Sequence, residues 1–91
     1  MSEYQAVLTG AALRSLHSVP ARVAEPLAAF IFGSLANDPR RRGKPLQREL
    51  EGRWAARRGD YRIVYRLDEE TKTMYVLKVG HRAHVYHRFE R

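Results

Sequence analysis

The stretch Gly80-His81-Arg82-Ala83-His84-Val85-Tyr86-His87-Arg88 places three histidines, two arginines and a tyrosine within nine residues. Side chains of these types serve metal centres, nucleophile relays and phosphodiester cleavage. A metal site is not expected. His81, His84 and His87 are three apart, a spacing that alternates faces on a strand, so the imidazoles do not converge. On a helix His84 and His87 would share a side, but the flanking arginines repel a cation and the nearest carboxylate is Glu90. A serine relay is no better supported. Ser2, Ser15, Ser18 and Ser34 all precede residue 35, and neither a Gly-x-Ser-x-Gly elbow nor a glycine-rich phosphate loop is present. What remains is cleavage of RNA by its own 2′-hydroxyl, without metal or cofactor. That reaction needs a base for the hydroxyl proton, cations for the pentacoordinate phosphorane and an acid for the leaving 5′-oxygen. Arginine, tyrosine and histidine cover those roles, and a cationic surround favours a phenolate at Tyr86. Trp54 and Tyr86 are also suited to stacking on a splayed base.

The distribution of charge supports a polyanionic partner. Net charge is +7, and residues 40–66 alone carry ten basic against three acidic side chains; the 39 residues before them sum to −1 and the 25 after them to +1. Solubility does not require such clustering, whereas a surface facing phosphates does. The chain has no cysteine, which excludes disulfides and thiolate zinc sites and fits a cytoplasmic protein. No targeting segment or membrane span is read in it.

Ninety-one residues suit one domain, 1–91, of α+β class. Residues 4–8 read as a first strand. Thr9 then caps a helix carrying Leu13 and Leu16, and Pro20 opens a second helix in which Val23, Leu27, Phe30, Ile31 and Leu35 recur at helical spacing. Arg40 to Pro45 reads as a basic loop, and Leu46 to Leu50 leads into the sheet. Strand signals follow at 53–58, 61–67 and 74–79, separated by turns short enough to make the sheet mainly antiparallel. Residues 82–88 add a short strand or an extended tail. An antiparallel helical hairpin packed on one face of this twisted sheet is the expected architecture.

Alternation along the strands sorts the side chains. Tyr61, Ile63, Tyr65 and Leu67 form a core face opposite Arg62, Val64 and Arg66. Tyr75, Leu77 and Val79 oppose Met74, Val76 and Lys78. Trp54 and Ala56 oppose Arg53, Ala55 and Arg57. The open face therefore carries Arg53, Arg57, Arg62, Arg66, Lys78, Arg82 and Tyr86, with no carboxylate to neutralise it, an arrangement that costs stability unless an anion occupies it. Lys44, Arg48 and Arg58 extend the basic surface around it.

The stretch KPLQRELEGRWAARRGDYRIVYRLDEETKTMYVLKVGHRAHVY resembles the C-terminal half of RelE-type toxins of the RelE/ParE superfamily, from type II toxin–antitoxin pairs, in the style of the actinobacterial branch. The resemblance extends over nearly the whole chain. It implies an endoribonuclease that cuts messenger RNA in the ribosomal A site without metal. Arg62 then stabilises the transition state, Arg82 is a second such arginine, and Tyr86 stacks on the base or shifts the proton. Of the family's two basic residues on the second strand, the first corresponds to Arg53 and the second falls on Ala55; Arg57 for the charge and His87 for the base are the available replacements. The remaining basic and aromatic positions, Lys44, Arg48, Trp54, Arg57, Arg58, Arg66 and Lys78, would bind RNA or ribosome. Two other functions share the fold: a ParE-like poison of DNA gyrase, and a catalytically idle co-repressor. In each, the implied partner is a cognate antitoxin whose acidic tail folds over the basic groove.

Overall fold

The computed structural model describes residues 3–81. Strand β1 (Gln5–Leu8) leads into α1 (Gly10–Ser18). Thr9 holds that junction: its hydroxyl oxygen accepts from the Ala12 N–H at 3.2 Å, and the same hydroxyl donates to the Val76 carbonyl at 2.9 Å. One side chain thus caps the helix and pins it to the sheet. Helix α2 (Ala21–Phe30) begins after Pro20, as expected of a proline at a helix start. It runs on as a π-helical turn over Ile31–Leu35. Leu27, Ile31 and Leu35 are fully buried, and the wider π turn keeps residues four apart on the buried side.

Five strands form one sheet in the order β1-β5-β4-β3-β2, with β2 at Gly43–Pro45, β3 at Trp54–Arg58, β4 at Tyr61–Asp68 and β5 at Thr73–His81. β1 pairs with β5 in parallel and the other ladders are antiparallel; the helices carry the chain from β1 at one edge of the sheet to β2 at the other, and β3, β4 and β5 then fill the space back to β1. The core lies between the hairpin of α1 and α2 and one sheet face, built from Leu16, Leu27, Ile31 and Leu35 against Ala56, Ile63, Tyr65, Met74, Val76 and Val79. No helix among the described residues is long and apolar enough to cross a membrane.

Three local expectations change. The segment from Arg40 to Pro45, read as a loop, instead holds a single helical turn, α3 (Pro39–Arg42), followed by the edge strand β2. Leu46 to Leu50, read as leading into the sheet, is a connection containing a 3₁₀ turn at Arg48–Leu50. The third change is in β5. Lys78 pairs with Val64 and Val76 pairs with Tyr65, so Leu77 is an extra residue, a β-bulge, and the strand changes phase there. Met74 and Val76 therefore enter the core with Val79, while Tyr75 does not. Strict alternation assigned Tyr75 and Leu77 to the core; with the bulge, Lys78 escapes it. The expected strand or tail at 82–88 lies outside the described residues.

Candidate nucleic-acid interface

The face away from the helices is organised in rows that run across the ladders. One row is Arg57, Arg62 and Gly80; the next is Lys44, Ala55, Val64 and Lys78. Arg66 pairs with Tyr75, which lies beside Val7 of β1, and the Arg66 guanidinium stands 4.2 Å above the Tyr75 ring. Arg57 and Arg62 are direct cross-strand partners, a like-charge pairing that destabilises a sheet. Gly80, opposite Arg62 on the other side, contributes no side chain to fill the space.

Arg62 carries the most telling feature of the face. Its Nη1 is buried and has no hydrogen-bond partner among the described residues. Buried polar groups are ordinarily paired, and a buried guanidinium nitrogen without an acceptor is costly. Beside it opens a groove of about 530 Å³ lined by Arg42, Lys44, Ala55, Arg57 and Arg62, with no carboxylate among the described residues of its wall. The groove is a cradle of converging cations.

Two anchors hold the third side of that cradle. Tyr65 is fully buried in β4 and donates its hydroxyl to the Pro39 carbonyl at 2.6 Å. Burial pushes its phenol well above the ordinary range, so it stays a donor. Tyr65→Phe leaves that carbonyl without its partner and is expected to cost about 1–2 kcal/mol, read from the urea midpoint at unchanged slope. The second anchor is Glu69 in the β4–β5 turn, which accepts from the Tyr4 hydroxyl at 2.7 Å, from Arg40 of α3, and from Lys72 at 3.1 Å. Those bonds, the Tyr4 hydroxyl first, lower the Glu69 carboxyl from 4.5 to about 2. A lowered folded-state value means the contribution is complete above the unfolded pKa and fades as pH falls from about 4.5 toward 2. Glu69→Gln is therefore expected to flatten the loss of thermal stability across that interval, measured by melting at successive pH values.

The structure brings together Arg57, Arg62, Arg66, Lys44 and Lys78 on one face, as the alternation of strands requires, while Arg53 directly precedes β3 and lies outside its ladders. Trp54 and Arg58 are not brought to that face. Trp54 packs against the core with the Arg40 guanidinium 5.5 Å from its ring, and Arg58 lies 5.7 Å over Phe30 of α2. Both alternate with Ala56 on the helix-covered side. Arg48 sits exposed in the 3₁₀ turn with φ of 61°, apart from the rows. Arg82, Tyr86 and His87 lie outside the described residues. Val64, expected on an open surface, is fully buried at the centre of the face. Arg42 was missed: the basic run Arg40-Arg41-Arg42 is visible in sequence, but only the α3 turn decides which of the three lines the groove. Among the described residues no cluster of three metal-ligating side chains occurs.

The comparisons with known proteins agree with this geometry. Residues 6–86 match the family described as the ParE toxin of type II toxin–antitoxin systems. The chain belongs to the RelE/ParE superfamily of toxins. It is 47% identical to Toxin RelG of Mycobacterium tuberculosis over 85 residues, 93% of this chain and 98% of that protein. Toxin RelE of the same organism is 40% identical over 83 residues, 91% of this chain and 86% of that one. Among solved structures, the toxin–antitoxin complex RelBE2 from M. tuberculosis superposes with a TM-score of 0.84 at 46% identity, covering 87% of this chain and 98% of that one. This RelE/ParE toxin therefore matches the two relatives over 91–93% of its length and the solved structure over 87%.

Proposed function

We propose that this toxin is a metal-independent endoribonuclease that cuts messenger RNA in the ribosomal A site and is held inactive by a cognate antitoxin. The observation that carries the reading is the buried Nη1 of Arg62, which has no hydrogen-bond partner among the described residues, beside Arg57 and Lys44 in a groove whose described lining holds no carboxylate. Phosphodiester cleavage by the 2′-hydroxyl accumulates negative charge on the phosphorane oxygens, and preorganised donors in a partly desolvated groove stabilise that charge most. Arg62 takes the transition-state role, Arg57 holds the phosphate, and Lys44, Arg53, Arg66 and Lys78 bind the RNA backbone or ribosome. Arg82, Tyr86 and His87 retain the roles that the family resemblance gives them, with Tyr86 or His87 moving the proton. The similar RelBE2 structure is a toxin–antitoxin complex, and a carboxylate-rich antitoxin segment covering the same face would neutralise it.

The test is cleavage of a defined message on stalled ribosomes, mapped by primer extension, with Arg62→Ala and ribosome-free reactions alongside. Cuts that need ribosomes and vanish in the variant support the assignment. No cuts with the unaltered toxin would sink it and favour gyrase poisoning or an idle co-repressor.

A further inference from the structure

Ala55 occupies the middle of the basic face with nothing larger than a methyl group. Arg57 stands two residues on along β3, and across the ladders the partners of Ala55 are Lys44 of β2 and Val64 of β4. Side chains directly opposite on one face have Cβ atoms about 5 Å apart, and the four-carbon stem of lysine exceeds that span. The Lys44 ammonium can therefore extend over the Ala55 methyl toward Arg57 and Arg62, into the groove that all four residues line. A longer side chain at position 55 would occupy the same space. Lys44, Arg57 and Arg62 take part in no ion pair among the described residues. Three neighbouring cations, one with a buried nitrogen lacking an acceptor, form an arrangement that a single multivalent anion relieves.

Strand β2 is built to hold this position. It has three residues, and Gly43 within it lies so close to Tyr65 that an added Cβ would meet the phenol oxygen. The Tyr65 hydroxyl in turn fixes Pro39 at the start of α3. Lys44 follows Gly43 directly, so its backbone is tied to the buried centre of β4, while its side chain is exposed.

We propose that Lys44 is a phosphate-contacting residue: from the edge strand it supplies, over Ala55, the positive charge that β3 does not carry there. With Arg57 and Arg62 it grips the non-bridging oxygens of the phosphate that is cut. It contributes charge and N–H donors and moves no proton. The assignment rests on the nuclease reading above and names the group of that site which the strand pairing, and not the strand sequence, provides.

The experiment is single-turnover cleavage of a defined message on stalled ribosomes by Lys44→Met, Lys44→Arg, Arg62→Ala and the double variant Lys44→Met/Ala55→Lys, with melting curves for each. Lys44→Met is expected to cut about 100-fold more slowly with an unchanged melting temperature, the effect of losing one oxyanion donor. Lys44→Arg should keep most of the rate, and Ala55→Lys in the Lys44→Met background should restore it to within about 10-fold of the unaltered toxin, because the charge returns to the same place from the neighbouring strand. An unchanged rate for Lys44→Met beside an inactive Arg62→Ala overturns the assignment of Lys44 and leaves the nuclease reading standing. A slow Lys44→Met that Ala55→Lys does not rescue overturns it too, since position of charge would not be what matters. No cuts by the unaltered toxin would instead overturn the nuclease reading itself.

Discussion

Arg62→Ala is expected to lower ribosome-dependent cleavage by about 1,000-fold, the upper range for removing one donor to a developing oxyanion. The same substitution should leave the melting temperature unchanged or raise it. Two terms set that sign. The guanidinium holds a buried Nη1 with no partner, and its desolvation cost disappears with the side chain. Arg62 also faces Arg57 directly across the ladder, and removing one member ends a like-charge repulsion. A residue that costs stability where it stands, yet is held there by a well-packed strand, has the profile of a functional group. A clear drop in melting temperature for Arg62→Ala would make it a structural residue and remove the basis of the functional assignment.

Gly43→Ala should destabilise the fold by about 3 kcal/mol, combining overpacking with a lost buried hydrogen bond. Its φ of −122° is ordinary extended backbone, so conformational freedom is not the reason for glycine here. Space is the reason: a Cβ at this position would stand 2.0 Å from the Tyr65 Oη and 2.9 Å from the Ala55 carbonyl oxygen. The tyrosine oxygen cannot retreat without giving up Pro39, and the carbonyl belongs to the neighbouring strand. Either β2 shifts outward, taking Lys44 with it, or Tyr65 moves within a filled core. The double variant Gly43→Ala/Tyr65→Phe tests this account, because deleting the hydroxyl removes the shortest contact. It should be less destabilised than the sum of the single variants, with the remaining cost set by the carbonyl and the ring carbon at 3.0 Å. Strict additivity in urea denaturation would show that the Tyr65 contact is not what excludes a side chain at 43.

The helical hairpin and the three long strands were legible because their signals are local. Thr9 caps the first helix, the four-residue spacing of Leu27, Ile31 and Leu35 marks the second, and the alternation from Tyr61 to Leu67 marks β4. The basic face was legible for the same reason, since a two-residue period places Arg57 with Arg53 and Arg66 with Arg62 before any pairing is known. The short strand Gly43–Pro45 was not, as three residues containing a glycine and a proline carry no periodic pattern. Its existence depends on β3 being there to pair with. The phase of β5 escaped for a similar reason: in Met74-Tyr75-Val76-Leu77 every residue is apolar enough to be core, so the sequence does not show which one is extra.

Taken alone, the sequence determined that this is an α+β chain with an arginine-rich strand face and positive charge concentrated in one segment, because those properties follow from local periodicity and from where charge is placed along the chain. Only the tertiary structure decided which cations meet. Register between strands sets Arg57 against Arg62 and Lys44 against Ala55, and it leaves the Arg62 Nη1 buried without an acceptor among the described residues. Those are contacts between residues distant along the chain, fixed by packing of the core beneath them and by one inserted residue in β5, neither of which is written in any single segment.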